Sequence, residues 1–185
     1  MRKKDFEKEQ RVKEAVIKLI LEEGFEGASI AKIARQAGVS PATVYIYYDS
    51  KEHMLASIYR EYANSTYEYL MDQIRADMDG RQLINALVRG YYSYITGNLE
   101  IYRFVEQCSH CPSLSAEDYN DVCRTFAFLE CMKDRGVLRR YSNECLAAIL
   151  FSPVKEISAE YPAGGRTAER LLEELIQIVS DAILL

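Results

Sequence analysis

A short segment of the sequence has the residue types that bind soft metal ions or exchange disulfides. Cys108 and Cys111 lie three positions apart, and His110 stands between them. Thiolates at this spacing, with an imidazole beside them, coordinate a soft cation or close a reversible disulfide. A lone Cys-x-x-Cys is a weak signal, and the chain has no second pair. We therefore predict no metal and no cofactor, and we keep a thiol- or metal-sensing role for these three residues as an alternative.

A second segment has the residue types that contact nucleic acid. Residues 40–48 include few aliphatic side chains and many small or hydroxyl-bearing ones. Small residues at the start of a helix allow its backbone to approach phosphates and base edges in the major groove of DNA. Tyrosine hydroxyls can bond to phosphates, and a nearby lysine adds positive charge. The alternative is that the tyrosines cover a small core. The residues of this group are Ser40, Pro41, Ala42, Thr43, Tyr45, Tyr47 and Lys51.

The spacing of apolar residues predicts the elements that position this segment. A first helix covers residues 7–23, and Gly24 ends it. A second, short helix begins after Ser29, a good N-cap residue, and ends at Gly38, which suits a left-handed C-terminal position. Ser40 can cap the next helix, whose first turn contains a proline. Two short helices joined by a glycine-containing turn are typical of a helix-turn-helix.

The rest of the chain is also predicted to be helical. Gly- and Pro-containing breaks separate the apolar stripes, and no strand alternation occurs. We expect Pro153 to kink or split the helix that contains it. The sequence therefore predicts an all-α fold of about nine helices, with an N-terminal helix-turn-helix DNA-binding domain at residues 1–60 and a C-terminal helical domain at residues 61–185. The later helices are expected at residues 51–78, 81–96, 98–110, 115–135, 142–160 and 166–184.

Composition narrows the class of protein. Hydrophobic residues make up 49% of the chain and charged residues 28%, which is typical of a soluble globular protein. No apolar run reaches the roughly 18 residues of a membrane span, so we expect no membrane contact and a cytoplasmic location. The chain has two histidines and no recognisable catalytic motif, so we expect it not to be an enzyme, with a small helical enzyme as an alternative.

Charge differs between the two parts of the chain. Residues 1–60 hold 11 Lys/Arg and 9 Asp/Glu, a net charge of +2, whereas residues 61–185 hold 12 and 19, a net charge of −7. The slightly basic head (residues 1–60), followed by an acidic remainder, suggests that the head binds a polyanion.

The N-terminal segment resembles the DNA-binding region of the TetR (tetracycline-repressor-like) family of bacterial transcriptional regulators. The resemblance rests on GFEGASIAKIA at residues 24–34 and AGVSPATVYIYYDSKE at residues 37–52. Tyr48 stands where the family often has phenylalanine. The resemblance implies a homodimer that binds a palindromic DNA operator and releases it when a small-molecule effector enters the C-terminal domain. It further implies that Ser29 and Lys51 contact phosphates and that residues 40–43 approach the groove.

Tyrosines are abundant in the C-terminal part, where ten of the 14 in the chain occur. Aromatic walls with hydroxyl tips suit a pocket for a flat or amphipathic organic molecule, and they equally suit an ordinary helical core. The residues predicted to line an effector pocket are Tyr62, Tyr91, Tyr94, Phe104, Cys108, Phe126 and Cys131.

The last helix is apolar on more than one face, which predicts a dimer interface. Two copies of the last two helices would bury this surface as a four-helix interface about a two-fold axis. The same symmetry would present two recognition helices about 34 to 36 Å apart, the repeat of the major groove. The predicted interface residues are Leu146, Ile149, Leu150, Leu172, Leu175, Ile176, Val179 and Ile183.

Overall fold

The computed structural model describes residues 3–111, 114 and 120–185. Over these residues the chain is all-α, as predicted, and has no β-strand. None of the helices in these ranges has the length and apolar character of a membrane span. The helices are α1 (Lys3–Gly27), α2 (Ile30–Ala37), α3 (Pro41–Tyr47), α4 (Lys51–Asp72), α5 (Gly80–Gly97), α6 (Leu99–Ser109), α7 (Asn120–Asp134), α8 (Asn143–Glu160) and α9 (Arg166–Ile183).

α1 is interrupted at the glycine where the sequence predicts its end. Gly24 has φ 74° and ψ −178°, a conformation that only glycine adopts without strain. The helical bonding pattern nevertheless resumes as far as Gly27. The carbonyl of Phe25, next to the break, accepts a side-chain hydrogen bond that is described below.

α4 ends earlier than the sequence predicts. It stops at Asp72 instead of Met78, and residues 73–78 form turns, with backbone bonds such as Gln73 N–H to the Leu70 carbonyl at 3.1 Å. The start of α5 is fixed by a capping box. The Asp79 side chain accepts from the Gln82 N–H at 2.8 Å, and the Gln82 side chain accepts from the Asp79 N–H at 3.0 Å.

Of the two outcomes predicted for Pro153, a kink or a split, the split does not occur. α8 continues from Asn143 to Glu160 with Pro153 inside it. Leu146, Leu150 and Val154 are all fully buried along one face, two on one side of the proline and one on the other. Packing of this face stabilises the helix across the single missing backbone hydrogen bond.

The packing divides the chain into two compact units. Unit 1 comprises the described residues of 1–63 and 100–118, and unit 2 those of 64–99 and 119–185. α4 contributes residues to both units. In unit 1, apolar side chains of α1, α2, α3, the first half of α4 and α6 form one core. In unit 2, α5, α8 and α9 pack against one another, and α7 packs on α8.

The residues predicted to line the effector pocket are divided between the two units. Phe104 and Cys108 are fully buried in the core of unit 1, and Tyr62 packs against the same core. The other predicted pocket residues, Tyr91, Tyr94, Phe126 and Cys131, belong to unit 2. The seven residues therefore do not form one cluster within either unit. The apolar stripe of α6, which the sequence assigned to the C-terminal body, covers α1 instead: the Gln107 amide donates to the Ile20 carbonyl at 3.3 Å.

Most of the residues predicted to form a dimer interface are buried within the single chain. Seven of the eight are at most 9% exposed within the single chain, and Ile149, at 38%, is the exception. These residues form part of the core of unit 2. Because α9 packs on both α5 and α8, it needs two apolar faces. The buried residues are Leu146, Leu150, Leu172, Leu175, Ile176, Val179 and Ile183.

Candidate nucleic-acid interface

α2 is held at both ends by the residues that the sequence predicts. The Ser29 side chain accepts from the Lys32 N–H at 3.3 Å and caps the start. Gly38 has φ 65° and ψ 39° and ends the helix in the left-handed conformation, while the Val39 N–H bonds to the Ala34 carbonyl at 2.9 Å. These bonds satisfy groups that a helix end leaves unpaired, and they fix the direction of the turn into α3.

α3 is short and tightly capped. The Ser40 hydroxyl accepts from the Thr43 N–H at 3.2 Å and lies 2.9 Å from the Thr43 hydroxyl. Pro41 occupies the first turn, where its missing N–H costs nothing. Val44 is fully buried and anchors the helix to the core of unit 1. The cap and the anchor compensate for a length of seven residues, which is too short for an isolated helix.

The opposite side of α3 faces solvent. Pro41 and Ala42 are exposed, Tyr45 is 55% exposed and Ile46 is 76% exposed. Small residues stand at the start of the helix and larger ones one turn later. Of the predicted groove residues, Ser40, Pro41, Ala42 and Tyr45 are exposed, whereas Thr43 is half-buried and its hydroxyl lies 2.9 Å from that of Ser40.

The residues predicted to contact phosphates differ in their surroundings. Ser29 is exposed at the start of α2, and Tyr47 is half-buried at the end of α3. The Lys51 ammonium donates to the Phe25 carbonyl at 2.6 Å. Lys51 therefore holds the break in α1 in place, and two of its three ammonium hydrogens remain for another acceptor.

A buried hydroxyl lies at the end of α3, on Tyr48. Tyr48 is 5% exposed, its ring packs edge-on against those of Tyr47 and His53, and no hydrogen-bond partner of its hydroxyl lies among the described residues. Burial, together with the negative charges of Glu9 and Glu61, raises the pKa of the Tyr48 hydroxyl. Tyr48 is thus a core aromatic residue, as expected at a position where the TetR family often has phenylalanine.

An ion pair joins α1 to α4 within unit 1. The Lys13 ammonium lies 2.6 and 2.8 Å from the two carboxylate oxygens of Glu61 and 3.5 Å from Glu9. Burial of the ammonium lowers its pKa, but the hydrogen bonds and charge of Glu61 outweigh burial, so the pKa of Lys13 is raised. The sequence alone gave no signal for this pair, because 48 residues separate its members.

The cysteine-histidine segment does not have the surroundings of a reactive thiol site. Cys108 is fully buried, and burial raises the pKa of its thiol to about 12. A reactive cysteine instead has a lowered pKa and access to solvent. His110 Nδ1 lies 2.7 Å from the Glu106 carbonyl. Among the described residues, no group of three His, Cys, Asp or Glu side chains is arranged to hold a metal ion.

The N-terminal unit matches a known family in sequence. Residues 14–58, from α1 to the first turns of α4, match the model of bacterial regulatory proteins of the tetR family. This segment of the chain is of the TetR type. This match includes the whole of α2 and α3 and every residue predicted to contact DNA, so the helix-turn-helix described above lies within the segment that the chain shares with the family.

Individual TetR relatives match over part of the chain in sequence and over most of it in structure. The fatty acid metabolism regulator protein of Bacillus subtilis is 26% identical over 91 residues, which cover 49% of this chain and 47% of the relative. The chain thus spans less than half the length of the curated relatives it matches.

Two solved structures illustrate the shared fold. A TetR family transcription regulator from Marinobacter aquaeolei VT8 superposes with a TM-score of 0.84 at 23% identity, covering 100% of this chain and 99% of that one. The transcriptional regulator FadR from Bacillus subtilis, in complex with stearoyl-CoA, superposes with a TM-score of 0.63 at 15% identity, covering 92% and 97%. At these identities the likeness establishes the fold.

Proposed function

We propose that this chain is a TetR family member and a DNA-binding transcriptional regulator that reads duplex DNA with α3. The observation that carries the proposal is the two-sided character of α3. Its inner side is anchored by the fully buried Val44, and its outer side presents Ala42 and Tyr45 on a helix that Ser40 caps. A rigid, outward-facing helix of this size fits a major groove.

The flanking residues supply contacts to the DNA backbone. Ser29 at the start of α2 and Tyr47 at the end of α3 bond to phosphate oxygens through their hydroxyls. Lys51 adds positive charge beside them while it keeps its bond to the Phe25 carbonyl. The net charge of +2 in residues 1–60, against −7 in the rest of the chain, favours approach of the head to a polyanion.

The regulator acts as a homodimer on a palindromic operator. Because most of the predicted interface residues are core residues of unit 2, the interface is formed by what α8 and α9 leave exposed. Ile149 is 38% exposed on α8, Ile178 is 64% exposed on α9, and exposed alanines lie near them. Apolar residues of this kind at the surface of two adjacent helices favour pairing with a second copy.

An organic effector binds in unit 2 and lowers operator affinity. The regulator is therefore a repressor that the effector releases from DNA. It acts in the cytoplasm. Four predicted pocket residues remain in this unit, and the Arg124 guanidinium stacks 4.2 Å from the centre of the Tyr67 ring. The relative named for fatty acid metabolism and the neighbour bound to stearoyl-CoA support a long-chain acyl-CoA as the first compound to test. Effector and operator must weaken each other's binding by the same factor.

Selection from a random duplex pool, followed by fluorescence anisotropy at increasing salt, tests the proposal. The protein should enrich a palindrome, and the affinity should fall about 10³-fold or more between 50 and 200 mM salt, as expected when several phosphates are contacted. Tyr45→Ala should weaken binding about tenfold. Tyr141→Ala is the matched control, because Tyr141 is similarly exposed, at 48%, but lies in unit 2.

Two outcomes would contradict the proposal. A protein that enriches no duplex sequence, or whose weak binding is the same for Tyr45→Ala and the wild type, is not a regulator of this kind. Addition of stearoyl-CoA, with free coenzyme A as the control, tests the effector separately: unchanged operator affinity would reject the acyl-CoA but leave DNA binding intact.

A further inference from the structure

The two aliphatic side chains of α3 have opposite surroundings. Val44 is 0% exposed and Ile46 is 76% exposed. Successive residues of an α-helix are rotated by about 100°, so side chains two positions apart point about 160° away from each other. Ile46 therefore points almost directly away from the core of unit 1, at the outermost part of the helix.

An isoleucine in this position gives the free protein no packing benefit. It is a weaker helix former than leucine or a long polar residue, because its branched side chain loses rotamer freedom in a helix. The same stiffness is useful in recognition, since little conformational freedom remains to be lost when the side chain is buried against a ligand. Exposed apolar groups of this kind mark interaction surfaces.

The residues around Ile46 limit how α3 can read DNA. Ala42, one turn earlier, is small and carries no polar atom. The hydroxyls of Ser40 and Thr43 lie 2.9 Å apart and are engaged with each other. Among the exposed side chains of α3 in the described structure, Tyr45 carries a hydroxyl that can bond to a base. The outer face of α3 is consequently poor in the donors and acceptors that read purine edges.

We propose that Ile46 is a specificity-determining residue that reads the C5-methyl group of a thymine in each operator half-site. The proposal rests on the DNA-binding function proposed above. Isoleucine has no hydrogen-bonding group, and the apolar feature that a base pair presents in the major groove is the thymine methyl. Burial of that methyl against Ile46 favours thymine over the other three bases at the position.

The experiment combines a protein variant with removal of single methyl groups from DNA. In the selected operator, each thymine is replaced in turn by deoxyuridine, which lacks the C5-methyl and keeps the same hydrogen-bonding groups. At one position, a single replacement in one half-site should weaken wild-type binding about fourfold, the value expected for one buried methyl group. The Ile46→Ala protein should bind the original operator more weakly and lose nothing further from that replacement.

The matched control is Tyr141→Ala. Tyr141 also has a large exposed side chain, at 48%, but it lies in unit 2 and outside the proposed DNA-binding and dimer surfaces. This variant should show the same fourfold methyl effect as the wild type. Because Ile46 is exposed, Ile46→Ala should retain the wild-type melting temperature, so that loss of binding cannot be assigned to unfolding.

The results separate this inference from the proposed function. If the wild type enriches an operator but every methyl replacement has the same effect on both proteins, the role of Ile46 is refuted and DNA binding stands. If the wild type enriches no duplex at all, both proposals fail. A renewed selection with Ile46→Ala should lose the preference for thymine at the one position that the methyl scan identifies, and an unchanged preference there would also refute the role.

Discussion

The hydroxyl oxygen of Ser40 contacts two atoms of Thr43: it accepts a hydrogen bond from the Thr43 N–H at 3.2 Å and lies 2.9 Å from the Thr43 hydroxyl. These contacts close the first turn of a helix that is seven residues long. A helix this short is unstable alone, so its conformation depends on the cap and on the buried Val44. The shape of the surface that we propose to read DNA therefore depends in part on Ser40, a residue that faces solvent.

Replacement of Ser40 should reduce DNA affinity more than it reduces stability. Ser40→Ala removes the cap and should cost about 1 kcal/mol of folding free energy, while local fraying of α3 should weaken operator binding about tenfold. Ser142→Ala is the matched control, because the Ser142 side chain caps α8 by accepting from the Cys145 N–H at 3.3 Å. The control should lose similar stability in urea unfolding and retain operator affinity. Equal affinity losses would show that α3 is not selectively affected.

Removal of the Tyr48 hydroxyl should stabilise the protein. This hydroxyl is buried and has no hydrogen-bond partner among the described residues, so Tyr48→Phe relieves a desolvation cost. We expect a gain of about 0.5 to 1 kcal/mol and a rise of roughly 2 °C in melting temperature. Tyr92→Phe should have the opposite effect, because the Tyr92 hydroxyl donates to the Tyr161 carbonyl at 2.5 Å. A destabilised Tyr48→Phe protein would mean that a partner, such as a water molecule, satisfies the hydroxyl.

Loss of the Lys13–Glu61 ion pair should destabilise unit 1. The Lys13 side chain is 8% exposed and that of Glu61 is 49% exposed, so Glu61→Gln leaves a buried ammonium with a weaker partner. Because Glu61 is half solvated, we expect a cost of about 1 kcal/mol at pH 7 in urea unfolding, less than for a fully buried pair. Glu22→Gln is the control, since the Lys18–Glu22 pair is exposed on both sides at 4.0 Å, and it should change stability little.

The same pair has a defined dependence on pH. The pKa of Lys13 is raised in the folded chain above its ordinary value of 10.5. A raised lysine pKa contributes stability that is fully present below the pKa of the unfolded chain and is lost as pH rises through the folded one. The difference in unfolding free energy between wild type and Glu61→Gln should therefore be constant from pH 7 to about pH 10 and shrink above it. A difference that grows above pH 10 would contradict the assignment.

Substitution of Ile178 should weaken the proposed dimer. Ile178→Glu places two like charges in an apolar interface between copies and should raise the dimer dissociation constant at least tenfold in sedimentation equilibrium. Ile46→Glu is the control, because Ile46 is at least as exposed, at 76%, but lies on α3. The control should remain dimeric. If both variants keep the wild-type oligomeric state, the exposed face of α9 is not the interface.

The helix-turn-helix could be predicted residue by residue because its signals are local. Ser29, Gly38 and Ser40 each act on backbone groups within a few residues, so type and spacing were sufficient to give the observed bounds of α2 and the observed start of α3. The end of α4 was predicted wrongly because its apolar stripe continues past Asp72, while a capping box and turns, not the stripe, decide where the chain leaves the helix. Pro153 was overestimated as a breaker because tertiary packing stabilises the helix on both sides of it.

The sequence by itself determined the helical class, the DNA-binding region and its caps, since helical periodicity and capping depend on neighbours within about four residues. Only the tertiary structure decided which apolar face meets which partner. Phe104 and Cys108 join the core of unit 1, and Leu172 and Val179 fill the core of unit 2 instead of remaining free for a second chain. An apolar stripe indicates that one face of a helix is buried, but it does not indicate which other element covers that face, because the hydrophobic effect has no direction. For the same reason, the exposure of Ile46 became apparent only when the packing of Val44 had fixed the orientation of α3.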